Sequence, residues 1–249
     1  MGDAVIIDRH FCGPPDSANG GYTCGMTAGA LGVPSAEVTL RRPPPLGAVL
    51  RVERSNDGVA LVVGDQVISE GRPARVGLDP PSPVGFDEAV HAAQTFDIEG
   101  YAARHPFPTC YTCGPSRPGD DGLGLFPAPI PGRAGTVAWP WVPDASGADA
   151  DRVIEPTIVW AALDCPSGLA WLAEGGSDPA VLGRMTAEVR RRPLVGEHLV
   201  VAGWRVADRG RKLEAGSAVW STDGEVIARS ASTWVRLTDD QQRTFKTAT

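Results

Sequence analysis

The 249-residue chain is poor in aromatic residues, at 6%, and in positive charge, with 23 Lys and Arg against 30 Asp and Glu for a formal net charge of -7. That deficit excludes nucleic acid as the principal partner, because phosphate binding needs a surplus of Lys and Arg. No apolar run is long enough to span a bilayer, so no membrane span or membrane partner is expected. The opening MGDAVIIDRH has no basic stretch followed by an apolar one, so no secretory leader is expected. Five cysteines leave at least one thiol unpaired; without secretory context, this points to a reducing, cytoplasmic setting without structural disulfides.

What is present describes a globular chain large enough for one big domain or two modest ones, 42% hydrophobic. With 30 Gly and 23 Pro it favours short strands and turns over a helical bundle. An internal repeat organises it. AEVTLRRPPPLGAVLRVE from Ala36 resembles AEVRRRPLVGEHLVVAGW from Ala187. Aligning Glu37 with Glu188 and Gly47 with Gly196 requires two extra residues in the first copy, around Pro43 to Pro45. After each copy come β-branched, partly alternating segments: GVALVVG and QVISEG, then KLEAGSAVW and EVIARSASTWVRL. Before each comes one helix candidate, Ser17 to Leu31 and Pro156 to Ala173.

The first helix has Asp16 or Ser17 as candidate N-cap and carries Gly20, Gly21, Gly25 and Gly29, each costing about 1 kcal/mol against Ala. Close packing accounts for Gly25 and Gly29; backbone approach to a ligand is the other use of such glycines. The second candidate, PTIVWAALDCPSGLAWLA, is apolar on nearly every face, as a helix wrapped by a sheet should be, with Asp164 its only carboxylate. Pro166 predicts a kink or restart beside Asp164, which would make that residue a helix cap. Asp79 to Gly85 reads as the linker. The units run 1–95 and 96–240, with a polar tail over 241–249 that frays from Thr238.

CYTCGPSRPGDDGLGLF, from Cys110 to Phe126, resembles the Cys-Phe-x-Cys-Gly … Gly-Leu-x-Leu segment of hotdog-fold acyl-CoA thioesterases. GEHLVVAGWRVADRG and GEVIARSASTWV are similar to that family's closing strands. The resemblance covers most of Cys110 to Leu237, with a divergent copy in Phe11 to Val76. It implies an α+β double hotdog, each half a curved antiparallel sheet around a central helix.

Many family members carry His-Gly-Gly at the start of that helix and a carboxylate nine residues after the His. Here Asn19-Gly20-Gly21 leads to Ala28, whereas Glu155-Pro156-Thr157 leads to Asp164. Each half keeps what the other lost, so the resemblance implies one composite site between the halves. The activity implied is hydrolysis of an acyl thioester to carboxylate and thiol, with no cofactor besides the coenzyme A of the substrate. The alternative is a non-catalytic acyl or acyl-CoA binding protein.

In the catalytic reading, Gly20 and Gly21 offer backbone donors at a helix N-terminus for an oxyanion. Asp164, raised in pKa by apolar surroundings, serves as general base or nucleophile. Asn19 positions water or carbonyl, and Ser167, one turn on, orients the carboxylate or water. Arg190, Arg191 and Arg192, or Arg41 and Arg42 in the other copy, are candidates for the coenzyme phosphates, although such runs are often solvated strand edges.

Cys110 and Cys113 form a lone CxxC, with His105, His10, Cys12 and Cys24 as conceivable further zinc ligands. One ligand pair is incomplete, so buried reduced thiols and no metal are expected. Without a βαβ context, a thioredoxin-like role is set aside. His91 and His198 read as structural. Neither helix contains a His, which disfavours a hydratase. All seven tryptophans lie in the second half and read as core. The two halves can pair within one chain, and a homodimer is compatible with the pattern.

Overall fold

The computed structural model describes residues 3–118, 121–173 and 179–247. The first half holds β1 (Ala4–Ile6), α1 (Gly20–Gly29), β2 (Ser35–Leu40), β3 (Val49–Arg54), β4 (Val59–Val63) and β5 (Gln66–Pro73). Two helices follow, α2 (Phe86–Gln94) and α3 (Ile98–Arg104). The second half holds β6 (Ala128–Pro129), β7 (Thr136–Trp141), α4 (Pro156–Leu172), β8 (Ala180–Val189), β9 (Leu199–Arg209), β10 (Lys212–Ser221) and β11 (Val226–Arg236). Helix α5 (Asp239–Thr247) ends the described chain.

All the strands join one antiparallel sheet in the order β1-β3-β4-β5-β2-β8-β11-β10-β9-β7-β6, and β2 and β8 pair to connect the two halves. The architecture is α+β, as expected. Among the described residues no helix is long and apolar enough to cross a membrane.

The register of the repeat differs from the sequence alignment. The carbonyl of Ile68 accepts from the amides of Arg41 and Arg42, and that of Ile227 accepts from Arg190 and Arg191. Arg41 and Arg190 are therefore equivalent, 149 positions apart, as are Gly47 and Gly196, which share a left-handed conformation at φ +71° and +82°. No residues are inserted around Pro43 to Pro45. The matching Ala-Glu-Val triplets are displaced by two, and Ala36 pairs directly with Ala187. A strand has period two, so a two-residue slip keeps every side chain on its own face. Ala36, Val38, Met185 and Ala187 are all fully buried, and the pattern looks equally good in either register.

Helices α1 and α4 pack against each other inside this sheet. Asn19, rather than Asp16 or Ser17, caps α1, its Oδ1 accepting from the Tyr22 amide at 2.8 Å. A Cβ on Gly21 would lie 2.5 Å from both the Cβ of Asp164 and the carbonyl oxygen of Trp160. One on Gly25 would lie 2.8 Å from the Cα of Thr157. Close helix approach thus explains these two glycines, whereas Gly29 faces nothing within 4 Å.

Helix α4 runs unbroken through Pro166, so Asp164 lies in its interior and is no cap. The proline removes one donor, and hydroxyls from outside the backbone ladder engage the neighbouring carbonyls. Thr112 donates to Ala161, Ser217 to Leu163 and Ser167 to Asp164.

Ala89 and Ala92 of α2, which precedes the expected boundary near residue 95, pack with Ala138, Val200 and Trp220. The segment after Thr238, expected to fray, forms α5; Ala248 and Thr249 of the tail lie outside the described residues. Trp141, Trp160, Trp204, Trp220 and Trp234 are buried.

Candidate active site and thiol cluster

Asp164 and the start of α1 meet at a cavity of about 470 Å³ whose lining includes Asn19, Gly20, Asp164 and Cys165. The Gly21 amide donates to Asp164 Oδ2 at 2.8 Å across the interface between the halves. Oδ1 of Asp164 is buried and has no hydrogen-bond partner among the described residues. Burial pushes the carboxyl up to about 7, against the Gly21 amide and the nearby Asn19 side chain, which favour the ionised form, while Cys110 adds to the rise. Gly20, first residue of α1, lines the cavity, and its amide meets no acceptor among the described residues. An unpaired donor at a helix N-terminus, in a cavity also lined by a buried carboxylate, is suited to a carbonyl that gains negative charge.

The structure thus brings together Asn19, Gly20, Gly21 and Asp164, but not every residue plays the expected part. Asn19 is engaged on both sides: Oδ1 caps α1, and Nδ2 donates to Thr112 Oγ1 at 3.3 Å, with Cys110 Sγ at 3.7 Å and Cys165 Sγ at 4.0 Å. It holds the walls of the site rather than a free water. Ser167 does not orient the carboxylate. Its Oγ donates to the backbone carbonyl of Asp164 at 2.7 Å and accepts from the Trp234 indole at 2.8 Å, a geometry set by its helical position facing β11.

The arginine expectation is also corrected. Arg190 pairs with Glu188, Arg191 with Glu197 and Glu225, and Arg192 with Asp149, and none lines the cavity. Their counterparts Arg41 and Arg42 do line it. Arg41 pairs with Glu70, whereas the exposed Arg42 side chain has no ion-pair partner among the described residues.

Sequence reasoning missed Cys165. Its Sγ lies 3.6 Å from that of Cys110, and the sulfurs of Cys110, Cys113 and Cys165 all lie within 4.8 Å of one another, so the CxxC is not alone. No spacing motif signals this, because Cys165 comes from α4, more than 50 positions later; its position beside Asp164 was the one available clue. His105 Nε2 sits 3.3 Å from Cys113 Sγ. Burial lowers the His105 pKa and raises that of Cys113, hydrogen bonding with Cys110 and Cys113 and then burial raise that of Cys165, and hydrogen bonds from its neighbours pull Cys110 well below an ordinary thiol. Cys24 is buried in the main core, Cys12 donates to the Thr109 carbonyl and His10 pairs with Asp121, all outside this cluster. His91 lies in the last turn of α2, and His198 stacks on Phe86. Within the Cys110 to Phe126 motif, Gly119 and Asp120 lie outside the described residues.

No family model matches the chain, and no curated protein sequence matches it. Solved structures do. A protein assigned as a thioesterase from Novosphingobium aromaticivorans is 16% identical, aligning 94% of this chain with 95% of its own at a TM-score of 0.58. The tesB protein of Mycobacterium avium subsp. paratuberculosis is 14% identical over 94% of this chain and 92% of its own, at 0.59. A protein assigned as a thioesterase II from Thermobifida fusca is 17% identical with coverages of 94% and 92%, at 0.57. The chain has the hotdog fold of these thioesterases and matches such double-hotdog structures over nearly its full length. At these identities the likeness defines the fold, and activity has to be argued from the site.

Proposed function

We propose that the chain is an acyl-CoA thioesterase-like hydrolase built as a double hotdog, with one composite site between its two units. The observation that carries this reading is that Asp164 on α4, whose Oδ1 is unpartnered, and Gly20 at the start of α1 line one cavity. The thioester carbonyl oxygen points at the Gly20 amide and the positive end of the α1 dipole. Asp164, ionised, removes a proton from water as the water oxygen attacks the carbonyl carbon. The carbon–sulfur bond then breaks, the leaving thiolate takes the proton held by Asp164, and the acid formed releases its own proton to solvent and departs as carboxylate. Asn19 is a positioning residue. Arg42 is the candidate contact for coenzyme phosphates. No cofactor is required, and a cytoplasmic setting and a homodimer belong to the same proposal.

The test is thiol release from a series of short- to long-chain acyl-CoAs, with wild type beside Asp164→Ala. Turnover that falls at least about 100-fold in the variant, with its circular dichroism unchanged, supports the hydrolase. Absence of release from every thioester, with saturable acyl-CoA binding in both proteins, overturns it in favour of a binding protein on the same scaffold.

A further inference from the structure

We propose that Cys110, Cys113 and Cys165 form a three-thiolate site for one thiophilic divalent cation of the zinc type, set in the cavity wall beside Asp164. This inference does not rest on the hydrolase reading. Zinc holds sulfur at about 2.3 Å in tetrahedral geometry, which puts two ligand sulfurs about 3.8 Å apart. Cys110 and Cys165 already stand at 3.6 Å, and the third sulfur lies within 4.8 Å of both, so small side-chain rotations close the set. All three cysteines are buried, unlinked to one another and drawn from two segments, the 110–113 turn and α4.

The surroundings supply donors that suit thiolates. Asn19 Nδ2 approaches the Cys110 and Cys165 sulfurs, and His105 Nε2 approaches Cys113. His105 Nδ1 accepts from the Phe107 amide at 3.1 Å, which puts the ring proton on Nε2 and makes His105 a donor to the Cys113 sulfur rather than a ligand. Binding replaces three S–H bonds by three metal–sulfur bonds and releases three protons to solvent. The three ligand residues line the cavity, so the fourth position falls to water from that side. Borderline-soft zinc fits this sulfur set, whereas magnesium and calcium, which require oxygen, do not.

The test begins with metal analysis of protein purified without added metal. The reduced, metal-stripped protein is then titrated with zinc against a chromogenic chelator and with cobalt(II), whose thiolate charge-transfer bands report sulfur ligation. Wild type should bind one equivalent. Cys113→Ser and Cys165→Ala should each weaken binding by more than about 100-fold, and His105→Gln by about 10- to 100-fold. Cys12→Ser should bind as wild type does, and circular dichroism checks folding throughout. Failure of reduced wild type to bind zinc overturns the proposal, as does full binding by both cysteine variants or a disulfide among the three in freshly isolated protein. A His105→Gln loss as deep as those of the cysteine variants overturns the three-sulfur ligand set.

Discussion

Gly21 and Asp164, 143 positions apart in the chain, are joined by a 2.8 Å hydrogen bond from backbone amide to carboxylate, with no room for a methyl group between them. One residue comes from each half, so this contact both seals the helix pair and sets the orientation of the only carboxylate in α4.

Gly21→Ala should therefore damage stability and activity together. The added carbon lies 2.5 Å from the Asp164 Cβ and the Trp160 carbonyl, so α1 and α4 must separate. Overpacking of this kind costs about 1–3 kcal/mol. Urea denaturation should show the loss, and thiol release should fall with it.

Asp164 should make the protein less stable as pH rises. Its folded pKa of about 7 stands above its ordinary value of 3.8, so between these values the folded state holds a proton that the unfolded chain releases. The stabilisation is fully present below about 4 and is lost by about 7, up to about 4 kcal/mol at 1.36 kcal/mol per unit. Asp164→Asn, which keeps an acceptor for Gly21, should gain on wild type across this window in denaturant titrations. An unchanged difference between pH 4 and 8 contradicts the raised pKa. The kcat/KM of wild type should fall about tenfold per pH unit below 7.

Arg42→Ala should raise KM for acyl-CoA severalfold, with kcat little changed and the difference shrinking at high salt. Arg191→Ala removes its equivalent in the other half, which is engaged with Glu197 and Glu225, and should leave KM unaltered. Steady-state kinetics on both variants separates the two positions.

Ser167→Ala should cost stability without disabling chemistry. The Trp234 indole loses its buried acceptor, a loss of about 1–3 kcal/mol. A kcat within a few-fold of wild type is the expected companion; a hundredfold loss would return Ser167 to the reacting atoms.

Much of this arrangement was legible in the sequence. The order of a helix followed by strands in each half came from patterning, and the split of Asn19-Gly20-Gly21 from Asp164 was visible only through the resemblance, whose His-Gly-Gly and later carboxylate are each matched in one half. The register of β2 against β8 was not, since a slip of two leaves Ala36 and Ala187 equally buried. Helix α2 follows directly on the proline-rich 79–85 connection and offers only nine residues to carry a helical period. The role of Ser167 escaped because a hydroxyl one turn from a carboxylate has the backbone carbonyl of that residue as a nearer acceptor. Cys165 escaped because its sulfur partners are neighbours only after the chain has closed on itself.

If the chain works as proposed, the placement of Gly21 and Asp164 in different halves leaves it with no second copy of its site. Ala28 stands where a second carboxylate would be, and Thr157 stands where a second close-packed glycine would be. Under the proposed function, each half would depend on the other for its missing group. On that reading, a lesion at either residue would have no intact twin to compensate for it.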